Sequence, residues 1–560
     1  MSKFRASVVL GMTALGMALA TNSGCKAGAA APSSGGSGGS SQGGAGSTGD
    51  AGNQTSTGAF MSVASSGTGT PGPHGDPKTC ADAAMYKTYL GCDFYPTVTA
   101  NAVWSLFDFA AVVANGGDQP ADVTVSRNGA PVQTVTVPPN SLQKIYLDWV
   151  PELKGPDSNA CGVPVPLTST VRSPHGAYHL VSSVPVTVYQ FNALEYAPQG
   201  GKPGKDWSQC PAQQCGLQCF SYTNDASLLL PTTALTNNYR VLGYPGWAQA
   251  QLGAFLSITG TADGTNVTVT LSATGAIQAG GTVQQTGPGQ ATSFMINQGE
   301  VVELIGTPDS DFSGSLVQST QPIEVIHGLS CTDIPSGVAA CDHIEESILP
   351  AETLGKHYVV TVPTGPHGTP VGHVVRIVGN VNGTTLSYPS GKPTNAPSTI
   401  NAGQVVDMGI VSEDFEVSGD HEFEVGSFQL GGSMVDPSGG QMSLGDPDQS
   451  TMIAVEQYRV KYVFLAPSDY PVNYADVVVQ NGATLTLDGT PVSVPPTAVG
   501  LSSYRVVRIP LQTGANDGAH VIEGSQPFGI QVLGYGAYTS YQYPGGLNLD
   551  IISPPPPPPQ

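Results

Sequence analysis

Two β signatures recur through this chain at intervals of about a hundred residues, and their recurrence constrains the fold more than any other feature. The first is a pair of alternating apolar runs around Asp-Gly or Asn-Gly, at residues 256–270 (LSITGTADGTNVTVT), 374–388 (VVRIVGNVNGTTLSY) and 477–487 (VVVQNGATLTL). Such a run is read as a β-hairpin. The second is a closing strand, at residues 181–190 (VSSVPVTVYQ), 317–328 (VQSTQPIEVIHG), 417–428 (VSGDHEFEVGSF) and 522–536 (IEGSQPFGIQVLGYG). Three of the four carry a proline ahead of the alternation. Proline has no ladder donor, so it belongs at the start of that strand or on a sheet edge.

Units of this length, each with several short strands, predict an all-β chain of tandem β-sandwich-like modules; a propeller-like arrangement of the repeated units is the alternative. The expected divisions are residues 76–228 (with a Cys-rich insert), 229–348, 349–446 and 447–550, followed by a Pro-rich tail at 551–560. The six prolines at 554–559 predict a polyproline II rod of roughly 19 Å. Composition agrees: Gly (71) and Pro (47) are frequent and only 11% of residues are charged, as many turns between Val- and Thr-rich strands require.

The first 25 residues have the anatomy of an export signal. Lys3 and Arg5 precede an apolar run at 6–20 that is too short to span a bilayer comfortably. Ala18-Leu19-Ala20 fits ordinary signal peptidase, while Asn22-Ser23-Gly24-Cys25 resembles a bacterial lipobox, whose cysteine is lipidated. The lipobox is the preferred reading, because a Gly/Ser-rich tether at 26–75 begins at once, although Asn22 stands where Leu is usual. Some fifty such residues span roughly 40 Å, enough to lift a folded body clear of lipid headgroups. Lys26 gives no Asp-type retention signal, so the outer membrane or cell surface is expected, lipid-anchored, with a secreted or periplasmic protein as the alternative.

Setting Cys25 aside leaves eight cysteines, an even number that reads as disulfides in an exported chain. Cys80 with Cys92 and Cys331 with Cys341 are local pairs; Cys161 joins Cys210, Cys215 and Cys219 in an order the spacing leaves open. Zinc at the trio is disfavoured, since neither a Cys-x2-Cys pair nor a nearby His completes a tetrahedral set.

Nineteen basic against forty-one acidic residues give a net charge of -22 without a basic stripe, which excludes nucleic acid as partner. Gly35-Gly36-Ser37-Gly38-Gly39 matches the nucleophile-elbow pattern, but lies in the tether rather than between strand and helix. Asp342-His343-Ile344-Glu345-Glu346 is the one dense polar cluster, read as structural beside the Cys331 to Cys341 bridge. No catalytic residue, cofactor or metal is assigned; calcium is the metal that the close pairs Asp309 with Asp311 and Asp446 with Asp448 would take, without an EF-hand to support them. Tyr535, Tyr538, Tyr541 and Tyr543 are candidates for stacking on a glycan, with a place in a strand core as the plainer account.

Residues 317–328, 341–360 (CDHIEESILPAETLGKHYVV) and 532–546 (VLGYGAYTSYQYPGG) resemble the N-terminal domain family of IgGFc-binding proteins. The resemblance is best over 228–546, and 107–191 looks like a weaker copy of the unit. It implies an extracellular β-rich module for adhesion or binding, with no catalytic residues to transfer. The cysteine-rich von Willebrand D-type domains of animal members are absent from these 560 residues, so covalent mucus-type assembly and antibody binding are not carried over. The expected function is a cell-surface binding or adhesion lipoprotein, not an enzyme, presenting its modules to a glycan or protein and meeting the membrane only through its anchor. A structural surface coat is the alternative, and an enzyme with an unrecognised site the third.

Cys25→Ser is expected to release the protein from membranes without disturbing the β-fold, because a diacyl anchor inserts many CH2 groups at about 0.8 kcal/mol each. Mass spectrometry of the mature N-terminus checks this. An acylated Cys25 is expected; an unmodified start at Thr21 would mean ordinary signal-peptidase cleavage.

Overall fold

The computed structural model describes residues 75–338, 340–512 and 518–559, so Cys25, the export signal, nearly all of the Gly/Ser-rich segment and its Gly35–Gly39 match lie outside the described residues. The described chain is all-β, and it takes the propeller-like alternative: four units close into a ring rather than forming a row of sandwiches.

Each unit contributes one antiparallel blade. From rim to axis the first runs Ser141–Leu147, Phe109–Asn115, His179–Asn192, Asp225–Leu229. The second runs Val301–Ile305, Phe255–Gly260, Ile323–Thr332, Asp342–Ser347, with Val171–Ser173 of the preceding unit added at its rim. The third is Val405–Val411, His373–Gly379, Phe423–Gln429, Gln449–Thr451, and the fourth Tyr504–Leu511, Val472–Gln480, Ala519–Gly536, Thr539–Pro544. The last strand of each blade packs against its counterparts in the two neighbouring blades, so four inner strands surround one axis.

Every blade is backed by a second, smaller sheet, which preserves a two-sheet core within each unit. In the second unit it is Ala291–Ile296, Thr265–Thr270, Leu316–Ser319, Asn238–Arg240, and the other units repeat the plan. The middle strands of the blades are buried on both faces, and Phe109–Asn115 reads as a continuous apolar run, FAAVVAN. Second-sheet strands face solvent on one side, so Ala121–Arg127 alternates buried and exposed.

The expected hairpins are not hairpins. Phe255–Gly260 belongs to the blade and Thr265–Thr270 to the second sheet, and the same split separates His373–Gly379 from Thr384–Ser387 and Val472–Gln480 from Leu485–Leu487. The turn reverses the chain, but its arms stack face to face: Leu256 and Ile258 meet Val267 and Val269 in one core. Gly264, Gly383 and Gly482 occupy the left-handed region that these reversals need.

The prolines mark where the closing strand crosses between sheets. Pro185 lies between Ser182, paired in the second sheet, and Thr187, paired in the blade; Pro322 and Pro527 occupy the same corner in their units. A missing N–H costs nothing at a point where no ladder continues. The ring closes where the ends meet: Tyr89 donates its amide to the Leu547 carbonyl at 3.2 Å, and Leu549 donates to Lys87 at 2.8 Å.

Tight strand packing near the axis leaves no room for a Cβ at Gly328, which would sit 2.0 Å from the Ile344 carbonyl oxygen. Because the obstacle is backbone, Gly328→Ala is expected to cost about 3 kcal/mol. Gly383, with open space around it, should accept Asn for under about 1 kcal/mol. Urea denaturation of the two variants measures the contrast.

Candidate functional site

The chain enters each inner strand from the same face of the ring, and the residues just before those strands converge. Tyr222 and Thr223 precede the first, Ala340 and Cys341 the second and Tyr538 the fourth, the third unit contributes Met442 from a turn further upstream, and together they line a cavity of about 760 Å³ at the mouth of the axis. Trp104, Phe220 and Trp247 complete an aromatic wall. No charged side chain lines it among the described residues.

Its rings are in contact. Tyr222 meets Trp104 edge-on at 6.1 Å, Phe220 at 5.8 Å and Tyr538 at 6.2 Å, in the range of favourable aromatic pairs. The ladder continues inward from Phe220 through Tyr196 and Tyr470 to Tyr541, at 5.5, 5.0 and 4.9 Å. Tyr222 and Tyr538 both have left-handed backbones, at φ 59 and 57, which a bulky residue adopts only where its surroundings impose it. The Tyr222 hydroxyl donates to the Gln218 carbonyl at 2.9 Å, and burial pushes its pKa up to about 12, so it remains a donor.

Two disulfides stand in the wall. Cys161 bridges Cys215 and ties residues 158–164 to the segment leading to Tyr222, while Cys331 bridges Cys341 immediately before the second inner strand. Cys210 pairs with Cys219, and Cys80 with Cys92 lies outside the pocket lining. At the rim, Val163, Leu217 and Met442 are 56%, 40% and 44% exposed, an unusual gathering of open apolar side chains.

Beneath the mouth the axis is polar and buried. Asp225 Oδ2 accepts the amides of Glu345 at 2.9 Å and Gln449 at 3.2 Å. Asp342 accepts the Asn224 amide at 2.6 Å and the Thr539 hydroxyl at 2.9 Å. Glu345 accepts from Thr99, Gln190, Asn192 and Ser227 at 2.6 to 3.1 Å. Burial raises the pKa of Asp225, Asp342, Asp446 and Asp448 well above the ordinary range, the charge of Asp448 adding to the effect at Asp225. Burial would raise Glu345 too, but the adjacent His343 and the hydrogen bonds from Thr99 and Gln190 outweigh that and lower it. The cluster at 342–346 therefore lies wholly inside the axis, every residue of its strand buried.

The other sequence candidates separate. Tyr535, Tyr541 and Tyr543 are buried, with the Tyr541 hydroxyl on Asn473 at 2.8 Å, and only Tyr538 opens onto the cavity. Asp309 is exposed in a turn, and Asp311 pairs with Arg376 at 2.5 Å. Asp446 accepts the Gly432 amide at 3.1 Å. Among the described residues no three His, Cys, Asp or Glu side chains are placed to hold a metal ion. Trp104, Tyr222, Trp247, Leu217 and Met442 escaped sequence reasoning; the one available signal was that Leu217 lies between Cys215 and Cys219 and Tyr222 just beyond them.

Comparison with known proteins adds a family. The family described as IgGFc binding protein matches residues 225–534, from the first inner strand to the closing strand of the fourth unit. Over 186 residues, 33% of this chain, the sequence is 30% identical to the human IgGFc-binding protein, of which the match covers 3%. The chain thus spans a small part of that relative.

The buried acids make stability depend on pH. Burial raises Glu324 and Glu424 from 4.5 to about 8, and burial followed by the charge of Asp108 raises Glu195 to about 7. Their stabilisation is complete below the unfolded value and is lost as pH rises through 7 to 8, because the unfolded chain has already released those protons. His327 and His373, lowered by burial from 6.5 to about 4 and about 3, act oppositely and destabilise the fold as pH falls below 6.5. Urea midpoints should therefore fall between pH 5.5 and pH 8.5, and Glu324→Gln should reduce that fall.

Proposed function

Because the chain belongs to the IgGFc-binding protein family, we propose that it is a surface or secreted binding protein whose protein partner docks on the mouth of the ring through an uncharged, apolar or aromatic anchor. The observation that carries this reading is the convergence of segments from all four units, three of them strand entries, on one aromatic cavity with an open apolar rim and no charged lining among the described residues. A pocket of that size and chemistry accepts a few desolvated side chains at the centre of an interface, with the rim excluding water around them.

The lining offers contact surface and hydrogen bonds rather than proton transfer, since its phenols, Tyr222 and Tyr538, are its only ionisable side chains outside the disulfides. The two wall disulfides support a pre-ordered site, which lowers the entropy lost on binding. Lipidation of Cys25 and a flexible tether would present the ring at the cell surface, and both belong to the proposal.

The printed name of the human relative makes IgG Fc the first probe, alongside a panel of extracellular proteins and a glycan array. A protein hit is expected to lose at least 30-fold in affinity on Leu217→Asp combined with Met442→Asp, the equivalent of about 2 kcal/mol. Both side chains are exposed, so the fold should survive. A partner that binds the double variant unchanged, or hits confined to glycans, would overturn the reading.

A further inference from the structure

The proline-rich tail is docked along the ring. Ile552 and Ser553 donate their amides to the Glu352 carbonyl, both at 2.9 Å, and the Ser553 hydroxyl donates to the Leu354 carbonyl at 2.8 Å. Beyond them the prolines follow the seam between the second and third units. Pro556 is buried, the Pro557 carbonyl accepts a 2.5 Å hydrogen bond from Arg240, and Pro559 rests on Gly403.

Arg240 is the side chain that gives the seam its chemistry. It is fully buried, and its other bonds go to the Gly314 carbonyl at 3.0 Å and the Asn380 side-chain oxygen at 3.5 Å. All three hydrogen-bond acceptors are neutral oxygens, one of them supplied by the tail, while the buried Glu424 carboxyl lies near enough to act on the guanidinium through charge without a hydrogen bond to it. A buried cationic donor that loses an acceptor is costly, so the position favours whatever segment brings a carbonyl to it.

The floor beside Arg240 is bare backbone. A Cβ on Gly403 would lie 2.5 Å from the Cβ of Pro559, and one on Gly314 would lie 2.0 Å from the Gly403 oxygen. The shelf accepts a flat ring at close approach and nothing between. A polyproline II strand suits both features: it makes no internal hydrogen bonds, so its carbonyls stay free, and proline brings no N–H to leave unpaired.

From this juxtaposition of a buried arginine, a glycine shelf and a proline carbonyl, we infer that the seam between the second and third units is a recognition site for polyproline II segments. The chain's own tail fills it in cis, and another proline-rich peptide fills it in trans when the tail is absent. The seam is distinct from the ring mouth and is independent of the reading proposed for it.

The test uses the full chain with residues 554–559 changed to alternating Gly and Ser, its fold checked by circular dichroism, and a labelled PPPPPPQ peptide followed by fluorescence anisotropy. The variant is expected to bind saturably, and the wild type at least tenfold more weakly, since a tethered tail competes at an effective concentration on the order of millimolar. An AAAAAAQ peptide should not bind either protein. A folded variant that ignores PPPPPPQ, takes both peptides alike, or binds no better than wild type would overturn the inference. If the multiple replacement fails to fold, Pro556→Gly gives the same comparison: tighter peptide binding than wild type supports the site, and unchanged binding rejects it.

Discussion

The ring depends on how four strand edges are satisfied where they are buried. Each inner strand is the last of its blade, so one row of its backbone groups has no ladder partner, and a buried unpaired N–H or C=O costs as much as a lost hydrogen bond. Asp225 resolves this for two neighbours at once by accepting amides from the second and third inner strands. Asp342 does the same for the first strand's entry, and Gln531 donates to the Thr451 carbonyl at 2.9 Å. Asp225 and Asp342 are thus edge caps. Their raised pKa values follow from the same cause, because carboxyls drawn into a buried axis are cheaper to hold neutral than charged.

That account also gives the densest polar motif of the chain a place inside the ring. Asp342, His343, Glu345 and Glu346 occupy a strand with every residue buried, and Glu345 alone is held by four side chains from the first unit. A carboxylate so fully bonded has little capacity left for a substrate. Its role is to fix the first unit to the second, and a single truncation there would leave several donors unpaired together.

The all-β class and the repeating unit were legible, because alternation is a local property of the chain; the prolines were expected at a strand start or sheet edge, whereas Pro185 and Pro527 lie inside continuous strands where these cross between sheets. What the turn signals could not convey was pairing. Asp263-Gly264 and Asn382-Gly383 announce a reversal, but whether the arms lie edge to edge or face to face depends on partners tens of residues away, such as Leu316–Ser319 against Thr265–Thr270. The tyrosines illustrate the same limit. Tyr535, Tyr538, Tyr541 and Tyr543 look alike in sequence, yet three fall on buried faces and Tyr538 lies in the left-handed step between two strands, which turns it to the mouth. The cavity itself was illegible, since Trp104, Tyr222, Met442 and Tyr538 meet only after the ring has closed.

Ring closure and the mouth are therefore parts of one construction. Inner strands that are buried and capped fix the points at which four loops emerge, and loops held at such points can diverge without loosening the core. Here they are further restrained: Cys161 to Cys215 and Cys331 to Cys341 each tie a loop within the cavity wall, and the aromatic ladder from Tyr222 through Tyr196 and Tyr470 to Tyr541 joins that wall to the packed interior. A surface anchored in this way loses little conformational freedom when covered, so open apolar side chains at its rim convert more of their burial into affinity than they would on a mobile loop. The left-handed backbones of Tyr222 and Tyr538 belong to the same economy, since strain of that kind persists only where the surrounding structure holds it in place.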